Sequence, residues 1–251
     1  MDEYAVVTGA SKGIGRAISI LLAKKGYKLV LIARSEAELK LLTGEISTDA
    51  LHFAIDLSEL GAAKKVADFC NDIPVSILIN NAGYGLWGNF DEVDIQQQLN
   101  MLQLNINAVV ELSYYLLPKL KKQPSYILNV ASTAAYQAVP TLAVYAATKA
   151  FVLSFSRALR VELKESGVSV SCLCPGPTDT GFAQRAGMDA LADLAEKFNM
   201  QPVEVAKLGI KGMFQQKAEI IPGFLNKLSA IGARYINKAL IERITAGLYE
   251  K

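Results

Sequence analysis

Short apolar runs alternate with longer stretches of helical period from the first residues of the chain onward. Tyr4–Gly9, YAVVTG, is apolar on both faces and predicts a buried strand. Between Gly13 and Lys25, Ala17, Ile18, Leu21 and Leu22 recur at three- and four-residue spacing, which predicts a helix. Tyr27–Arg34 predicts strand two, and Ser35 with Glu38 three residues on is a capping-box helix start. Leu51–Asp56 predicts strand three, with Ser58 opening the next helix. Val75–Asn80 predicts strand four, followed by a long helix from about Val93 to Leu117. Ser125–Ala131 predicts strand five, before a second long helix over Leu142–Ser166. Val168–Cys174 predicts strand six, and Ala218–Ile221 is a candidate last strand. Strands this apolar on both faces, alternating with helices, imply a parallel sheet covered on both sides. The expectation is a doubly wound α/β fold in a single domain, 1–251. The segment 176–217 breaks the rhythm and reads as a substrate-covering insertion. Residues 223–251 read as a C-terminal helical extension.

Composition narrows the function. The chain has 251 residues, 51% hydrophobic and 20% charged, enough for one large core. Its formal charge is +2, and no run of basic residues exceeds two, so nucleic-acid binding is disfavoured. Three cysteines and one histidine (His52) give neither a disulfide framework nor a metal site. Cys172 and Cys174 lie in the apolar run SVSCLC and read as buried thiols. The acidic start, MDEY, has no secretory character, and reduced thiols make a cytoplasmic location the default. Ala138–Ser156 is nearly uncharged, but Pro140, Lys149 and several hydroxyls mark it as a buried helix and not a membrane span. Phe224–Ile244 carries apolar residues at helical spacing with Lys227, Arg234, Lys238 and Arg243 interspersed. A packed helix or subunit contact is the favoured reading, a membrane surface the alternative.

Between strand one and helix one lies TGASKGIG, Thr8–Gly15. Backbone amides and the positive end of a helix hold phosphate well there. The glycines Gly9, Gly13 and Gly15 have the spacing G-x-x-x-G-x-G. Glycine permits positive φ and close approach of backbone to a ligand.

This loop resembles the cofactor loop of the short-chain dehydrogenase/reductase family, in its branch of about 250 residues. Further marks follow in the family's order. Asp56-Leu57 follows strand three, NNAG (Asn80–Gly83) follows strand four, and PGPTDT (Pro175–Thr180) follows strand six. The resemblance implies a Rossmann-like fold and a nicotinamide dinucleotide. It implies cofactor contacts from Gly9, Ser11, Lys12, Gly13, Ile14 and Gly15 of the loop. Asp56, Leu57, Asn81, Ala82 and Gly83 add theirs, as do Pro175, Gly176, Thr178 and Thr180. Strand two ends in Arg34, with no acid before Glu36, and Lys12 adds a second cation nearby. An acid there suits the ribose hydroxyls of NAD, a cation the 2′-phosphate of NADP, so the expected cofactor is NADP(H).

The tyrosine–lysine spacing of four occurs twice, at Tyr115/Lys119 and at Tyr145/Lys149. Pro118 makes the first pair look like a helix end, and the residue thirteen before Tyr115 is Leu102. Thirteen before Tyr145 is Ser132, just after strand five. Ligands in such sheets bind outside the carboxyl ends of the strands. Ser132, Tyr145 and Lys149 resemble the family's catalytic serine, tyrosine and lysine. Tyr145 would pass the proton to and from the substrate oxygen. A lysine cation about 5 Å away at an effective dielectric near 20 favours phenolate by about 3 kcal/mol. The resemblance also has Tyr145 and Lys149 touch the cofactor, and Ser132 and Tyr145 the substrate. The family's helix asparagine maps to Asn105 (Asn107 being the other candidate) because it precedes Pro118 by thirteen. Its use is a water relay beside the lysine, a brace for a bent helix, or both.

Tyr84, Trp87, the stretch Tyr136–Val139 and the segment Phe182–Met200 are the expected pocket walls. They are largely apolar, which points to a bulky apolar carbonyl or alcohol as substrate. The family commonly forms dimers or tetramers through its two long helices. Ala146, Ala147 and Ala150 would let such helices approach closely. A non-catalytic NADP(H)-binding sensor on the same fold is the rival function. A nucleotide-sugar epimerase fits less well, because those relatives are longer and have a different glycine spacing.

Overall fold

The structure is a computed structural model that describes residues 2–187 and 199–249. Seven parallel strands form one sheet in the order β3-β2-β1-β4-β5-β6-β7. They are β1 Tyr4–Thr8, β2 Lys28–Ala33, β3 Ala50–Ala54, β4 Val75–Asn80, β5 Ser125–Val130, β6 Val168–Leu173 and β7 Glu219–Ile220. The sequence order reverses between β1 and β4, and a doubly wound sheet opens its ligand crevice at that point. Successive strand residues face opposite sides. Val7, Leu29, Leu31, Ile77 and Ile79 pack into one core, and Val6, Val30, Ile32, Leu78 and Ile127 into the other. Burying each such side chain stabilises the fold by about 1.5–3 kcal/mol, which explains why the strands read as continuous apolar runs.

The first core is covered by α1 (Gly13–Lys24), α2 (Glu36–Glu45) and a helix reached only after β6. The second is covered by α3 (Ala62–Phe69) and by the helix pair α4 (Ile95–Leu102) and α5 (Ala108–Leu120). The helix α6 (Ala143–Glu162) follows β5 and packs against β6. Ser35 caps α2, accepting from Glu38 N, as the capping-box pattern predicts. Between β6 and β7 lie α7 (Phe182–Ala186) and α8 (Pro202–Phe214), and after β7 come α9 (Phe224–Tyr235) and α10 (Lys238–Tyr249).

Four expectations change. Ser58 does not open α3: its amide and hydroxyl both bond to Asp56, and Gly61 stands at the helix start. The long helix after β4 is interrupted by a π-helical turn, Gln103–Asn107, between α4 and α5. Pro118 lies inside the last turn of α5 and not beyond its end, where it offers no backbone donor to the helical ladder. The segment 176–217 also divides. Its later part, α8, buries Val205, Ala206, Ile210 and Met213 in the first core and is the crossover helix between β6 and β7. Of that segment, only the residues before α8 are left to cover a site, and 188–198 lie outside the described residues. The side chain of Arg234 lies outside them too.

Candidate active site

At the sheet's carboxyl edge the β1 and β4 ends are tied together. Thr8 Oγ1 donates to Ile79 O at 3.1 Å and accepts from the amides of Asn81 at 2.9 Å and Ala82 at 3.0 Å. Asn81 Nδ2 donates to Thr8 O and Gly9 O at 2.9 and 3.2 Å. Gly9 has φ +62°, and a Cβ there would meet Asn81 Nδ2 at 2.7 Å. A Cβ on Gly15 would strike Gly9 O, so α1 starts in van der Waals contact with the loop. No side chain caps α1, because its N-cap residue is Lys12. First-turn amides without a capping side chain suit a phosphate. A Cβ on Gly13 would come within 2.8 Å of Thr180, so the loop after β6 lies against the glycine loop. Thr178 Oγ1 donates to Gly176 O, and Thr133 N donates to Pro175 O, each at 2.9 Å. This cradle fits a dinucleotide: it has a tight backbone approach, open amides and a second loop facing the first. Ile14 and Leu57 serve the cores beneath it.

The two cations expected at the nucleotide end, Lys12 and Arg34, each have a carboxylate partner. Lys12 Nζ lies 2.8 Å from Glu38 Oε1 and holds that carboxyl below its usual range, against the effect of its burial. Arg34 lies 3.7 Å from Asp56 Oδ2. Burial pushes the Asp56 carboxyl up, but the two Ser58 bonds and the Arg34 charge outweigh it and hold it low. Sequence spacing did not announce either pair, because each partner comes from a different element.

Tyr145 and Lys149 sit one turn apart on α6 and share its buried face. Lys149 is 5% exposed. Its Nζ donates to Val130 O at 3.1 Å and lies 5.7 Å from the centre of the Tyr145 ring. Burial lowers Lys149 to about 8, while Cys172 and Cys174 nearby act in the opposite direction. Ser132 lies two residues past β5 in extended backbone, and its Oγ accepts from Ala134 N at 3.1 Å. That bond uses one acceptor site of the hydroxyl and leaves its hydrogen to donate.

Asn105 stands in the π-helical turn, a feature common at functional sites, and is buried. Its Oδ1 accepts from Tyr84 N at 3.2 Å, and its Nδ2 donates to Tyr84 O at 2.9 Å and Thr148 Oγ1 at 3.1 Å. These bonds tie the π-helical turn to the Tyr84 loop and to α6. A Cβ on Gly83 would meet Asn105 Oδ1 at 2.9 Å and Lys149 Nζ at 3.4 Å, so only a glycine separates the two side chains. Thr148, which joins Asn105 to the Tyr145 carbonyl, was not singled out in the sequence. A threonine between two marked residues carries no spacing signal of its own.

Of the expected pocket walls, Tyr84, Trp87 and Phe182 pack in one cluster with Tyr145, Val139 and Met101. The Phe182 ring centre lies 5.3 Å from that of Tyr145. Beside this cluster is a cavity of about 90 Å³ lined by Leu86, Phe90, Met101, Thr141 and Val144, among others. Tyr136 is placed elsewhere. It packs with Cys172 and Cys174, and its hydroxyl donates to Glu219 Oε2 at 2.8 Å. From that stretch Val139 reaches the tyrosine instead. The Tyr115 pair is apart from all of this: Tyr115 is surface-exposed, and Lys119 donates to the Asn71 carbonyl.

The comparisons agree with this geometry. The short chain dehydrogenase family model matches residues 3–190. An uncharacterized oxidoreductase of Staphylococcus epidermidis is 33% identical over 217 residues, covering 81% of this chain and 94% of that protein. A short-chain dehydrogenase from Sphingobium yanoikuyae, solved in complex with NADPH, has a TM-score of 0.82 at 28% identity, covering 95% of this chain and 97% of that one. The 3-ketoacyl-(acyl-carrier-protein) reductase from Brucella melitensis, complexed with NADH, has a TM-score of 0.79 at 29% identity, covering 88% and 96%. A match that runs unbroken from the glycine loop through the tyrosine helix places this chain in the short-chain dehydrogenase/reductase family of oxidoreductases.

Proposed function

We propose that the chain transfers a hydride between NADP(H) and a bulky apolar carbonyl or secondary alcohol, with Tyr145 as general acid and base. The observation that carries this reading is Lys149, buried without a carboxylate partner among the described residues, 5.7 Å from the Tyr145 ring. A buried cation in that position favours a phenolate by about 3 kcal/mol at an effective dielectric near 20. When bound, the nicotinamide supplies or accepts the hydride. Gly9, Ser11, Lys12, Gly13, Ile14 and Gly15 would hold its phosphates. Arg34, Asp56 and Leu57 would hold the adenosine end, and Asn81, Ala82, Gly83 and the Pro175–Thr180 loop the rest. Ser132 donates to the substrate oxygen and orients it. Tyr145 gives that oxygen a proton in reduction and takes it back in oxidation. Lys149 stabilises the phenolate left behind, and Asn105 positions the backbone around Tyr84 and Thr148.

The substrate class rests on the walls around Tyr145, which are apolar on several sides: Trp87, Val139, Met101 and Phe182. Because Phe182 lies on the tyrosine and the adjoining cavity is small, a bulky substrate needs α7 to shift. The test is an NADPH-oxidation screen over ketones, aldehydes and acyl thioesters, with binding followed separately. Turnover of a bulky apolar carbonyl is expected. Tight NADPH binding with no turnover across the panel would favour the sensor instead.

The cofactor preference has its own test. Arg34→Asp removes a cation from the end of β2 and sets a second carboxylate beside Asp56. Both changes repel a 2′-phosphate dianion and suit ribose hydroxyls. The ratio of kcat/KM for NADPH over NADH should fall at least about tenfold. An unchanged ratio overturns the NADP(H) assignment.

The outward face of α6 supports self-association as a dimer or tetramer. Ala147, Ala150 and Phe151 are exposed there, while Ala146 is buried within the chain. No helix among the described residues is long and apolar enough to cross a membrane.

A further inference from the structure

Helix α9 turns an apolar stripe away from the protein. Phe224, Leu228, Ile231 and Tyr235 follow one another at four-, three- and four-residue steps, which sets them in one line along the helix. All four are exposed, from 43% at Ile231 to 84% at Tyr235, and Leu225 beside them is 64% exposed. Ile236 and Leu240, just beyond the helix, are exposed as well. The protein holds α9 by its opposite face. Ala230 is buried there, and Asn226 and Ala233 are half-buried. Asn226 Nδ2 donates to Pro222 O at 2.9 Å, and a Cβ on Gly176 would strike the Asn226 side chain. The helix also packs on the turn Thr133–Tyr136 that follows Ser132. Gln137 Nε2 donates to Thr245 Oγ1 of α10 at 3.3 Å.

A row of large apolar side chains in water is unfavourable, and an exposed apolar patch with a polar border marks a contact surface. The charges say which kind. Between Glu219 and Glu242 the chain has no acidic residue, and Lys227, Arg234 and Lys238 are the only charged residues there. Lys227 lies three residues after Phe224 and four before Ile231, so it borders the stripe. A lysine stem can lie along apolar surface while its ammonium reaches a polar headgroup. An apolar row with a basic border therefore suits an anionic lipid surface. A second copy of the chain suits it less. In a two-fold contact each stripe meets the same stripe, which sets basic border against basic border with no acid in the segment to pair them.

We propose that α9 is a peripheral membrane contact: its Phe224–Leu228–Ile231–Tyr235 stripe enters the headgroup layer of an anionic bilayer, and the bases between 227 and 238 meet the lipid phosphates. With 12 residues the helix lies on the surface and does not cross it. Because α9 packs on the turn after Ser132 and on Gly176, the lipid contact falls at the carboxyl edge of the sheet, beside the candidate site. The inference stands apart from the cofactor and substrate proposed above, and its test uses neither.

Full-length protein is mixed with vesicles of phosphatidylcholine alone, or of phosphatidylcholine with phosphatidylglycerol, and the bound fraction is read by flotation. Light scattering gives the mass of the protein without vesicles. Wild type should partition to the anionic vesicles at least about tenfold more strongly than to the neutral ones. Phe224→Ser/Leu228→Ser should lower that partition at least about tenfold, and so should Lys227→Gln/Lys238→Gln. All four positions are exposed, so the Tm of each variant should stay within about 2 °C of wild type. Wild type that leaves the anionic vesicles unbound overturns the inference. Equal partition to both vesicle types overturns it too, because the basic border then has no part. Phe224→Ser/Leu228→Ser that falls in mass by light scattering, with vesicle binding unchanged, assigns the stripe to a second copy and overturns the lipid contact.

Discussion

Replacing Tyr145 by phenylalanine lowers kcat for carbonyl reduction by about 10²–10⁴-fold and leaves the Kd for NADPH within about threefold. The range is what a positioned proton donor typically contributes. Tyr145 is buried, with its ring against Phe182 and the Lys149 ammonium 5.7 Å from its centre. Phenylalanine keeps the ring, its volume and those packing contacts, so the fold should survive the change. What is lost is the only group that the proposed reaction needs Tyr145 to supply. Steady-state rates and NADPH fluorescence on the same preparation separate the two effects. Full activity in the variant would sink the general-acid role, and a large loss of cofactor affinity would show that the hydroxyl mainly binds.

The second large effect has opposite signs for activity and stability. Lys149→Met removes the cation next to the tyrosine and should lower kcat by about 10²-fold, equivalent to the ~3 kcal/mol attraction estimated at this separation. The same change should stabilise the ligand-free protein near neutral pH. Burial lowers Lys149 from 10.5 to about 8, which means that keeping it charged in the folded state costs about 3 kcal/mol. Methionine lacks that cost but also lacks the bond to the Val130 carbonyl, worth about 1–3 kcal/mol with a charged donor. The net gain expected is about 1 kcal/mol, or ~2–4 °C in Tm for a chain of this size.

The pH dependence gives the sign independently. A lysine with a depressed folded value binds fewer protons in the folded state between about pH 8 and 10.5. Wild-type stability therefore gains from Lys149 as pH rises through that window, and the full cost is present below it. The Lys149→Met variant should lack this rise. Unfolding measured at pH 7 and at pH 10 in both proteins checks it: an identical pH slope in the two would show that burial of Lys149 has no energetic weight.

Much of this site was legible in the sequence, and the reason differs from residue to residue. Gly9 and Gly15 were visible because a side chain at either position collides with Asn81 or with the loop carbonyl, so the residue type itself records the geometry. Tyr145 was separated from Tyr115 by Ser132 at the strand end, and the structure puts Tyr145 in the core beside Lys149 while Tyr115 stays at the surface. Tyr136 misled because it lies three positions before Val139 at the end of a short 3-10 turn, too short a stretch for periodicity to say which way a side chain turns. Its hydroxyl went to Glu219, a partner 83 positions away. Arg185 and Thr148 carried no signal because each acts through a partner on another element, Tyr84 and Asn105 respectively. The π-helical turn was hidden for a related reason. Asn105 closes onto the Tyr84 backbone, and that demand comes from the neighbouring loop and not from the helix.

By itself the sequence determined the parallel sheet, its strand positions within a residue or two, the glycine loop and the tyrosine–lysine helix. These depend on apolar burial, helical spacing and backbone sterics, all of which act over a few neighbouring residues. Only the tertiary structure decided which charges meet. Lys12 went to Glu38, Arg34 to Asp56, and Arg185 to the face of the Tyr84 ring. Ion pairs and buried polar bonds form between side chains that folding brings together from distant positions, so their partners are fixed by the packing of whole elements.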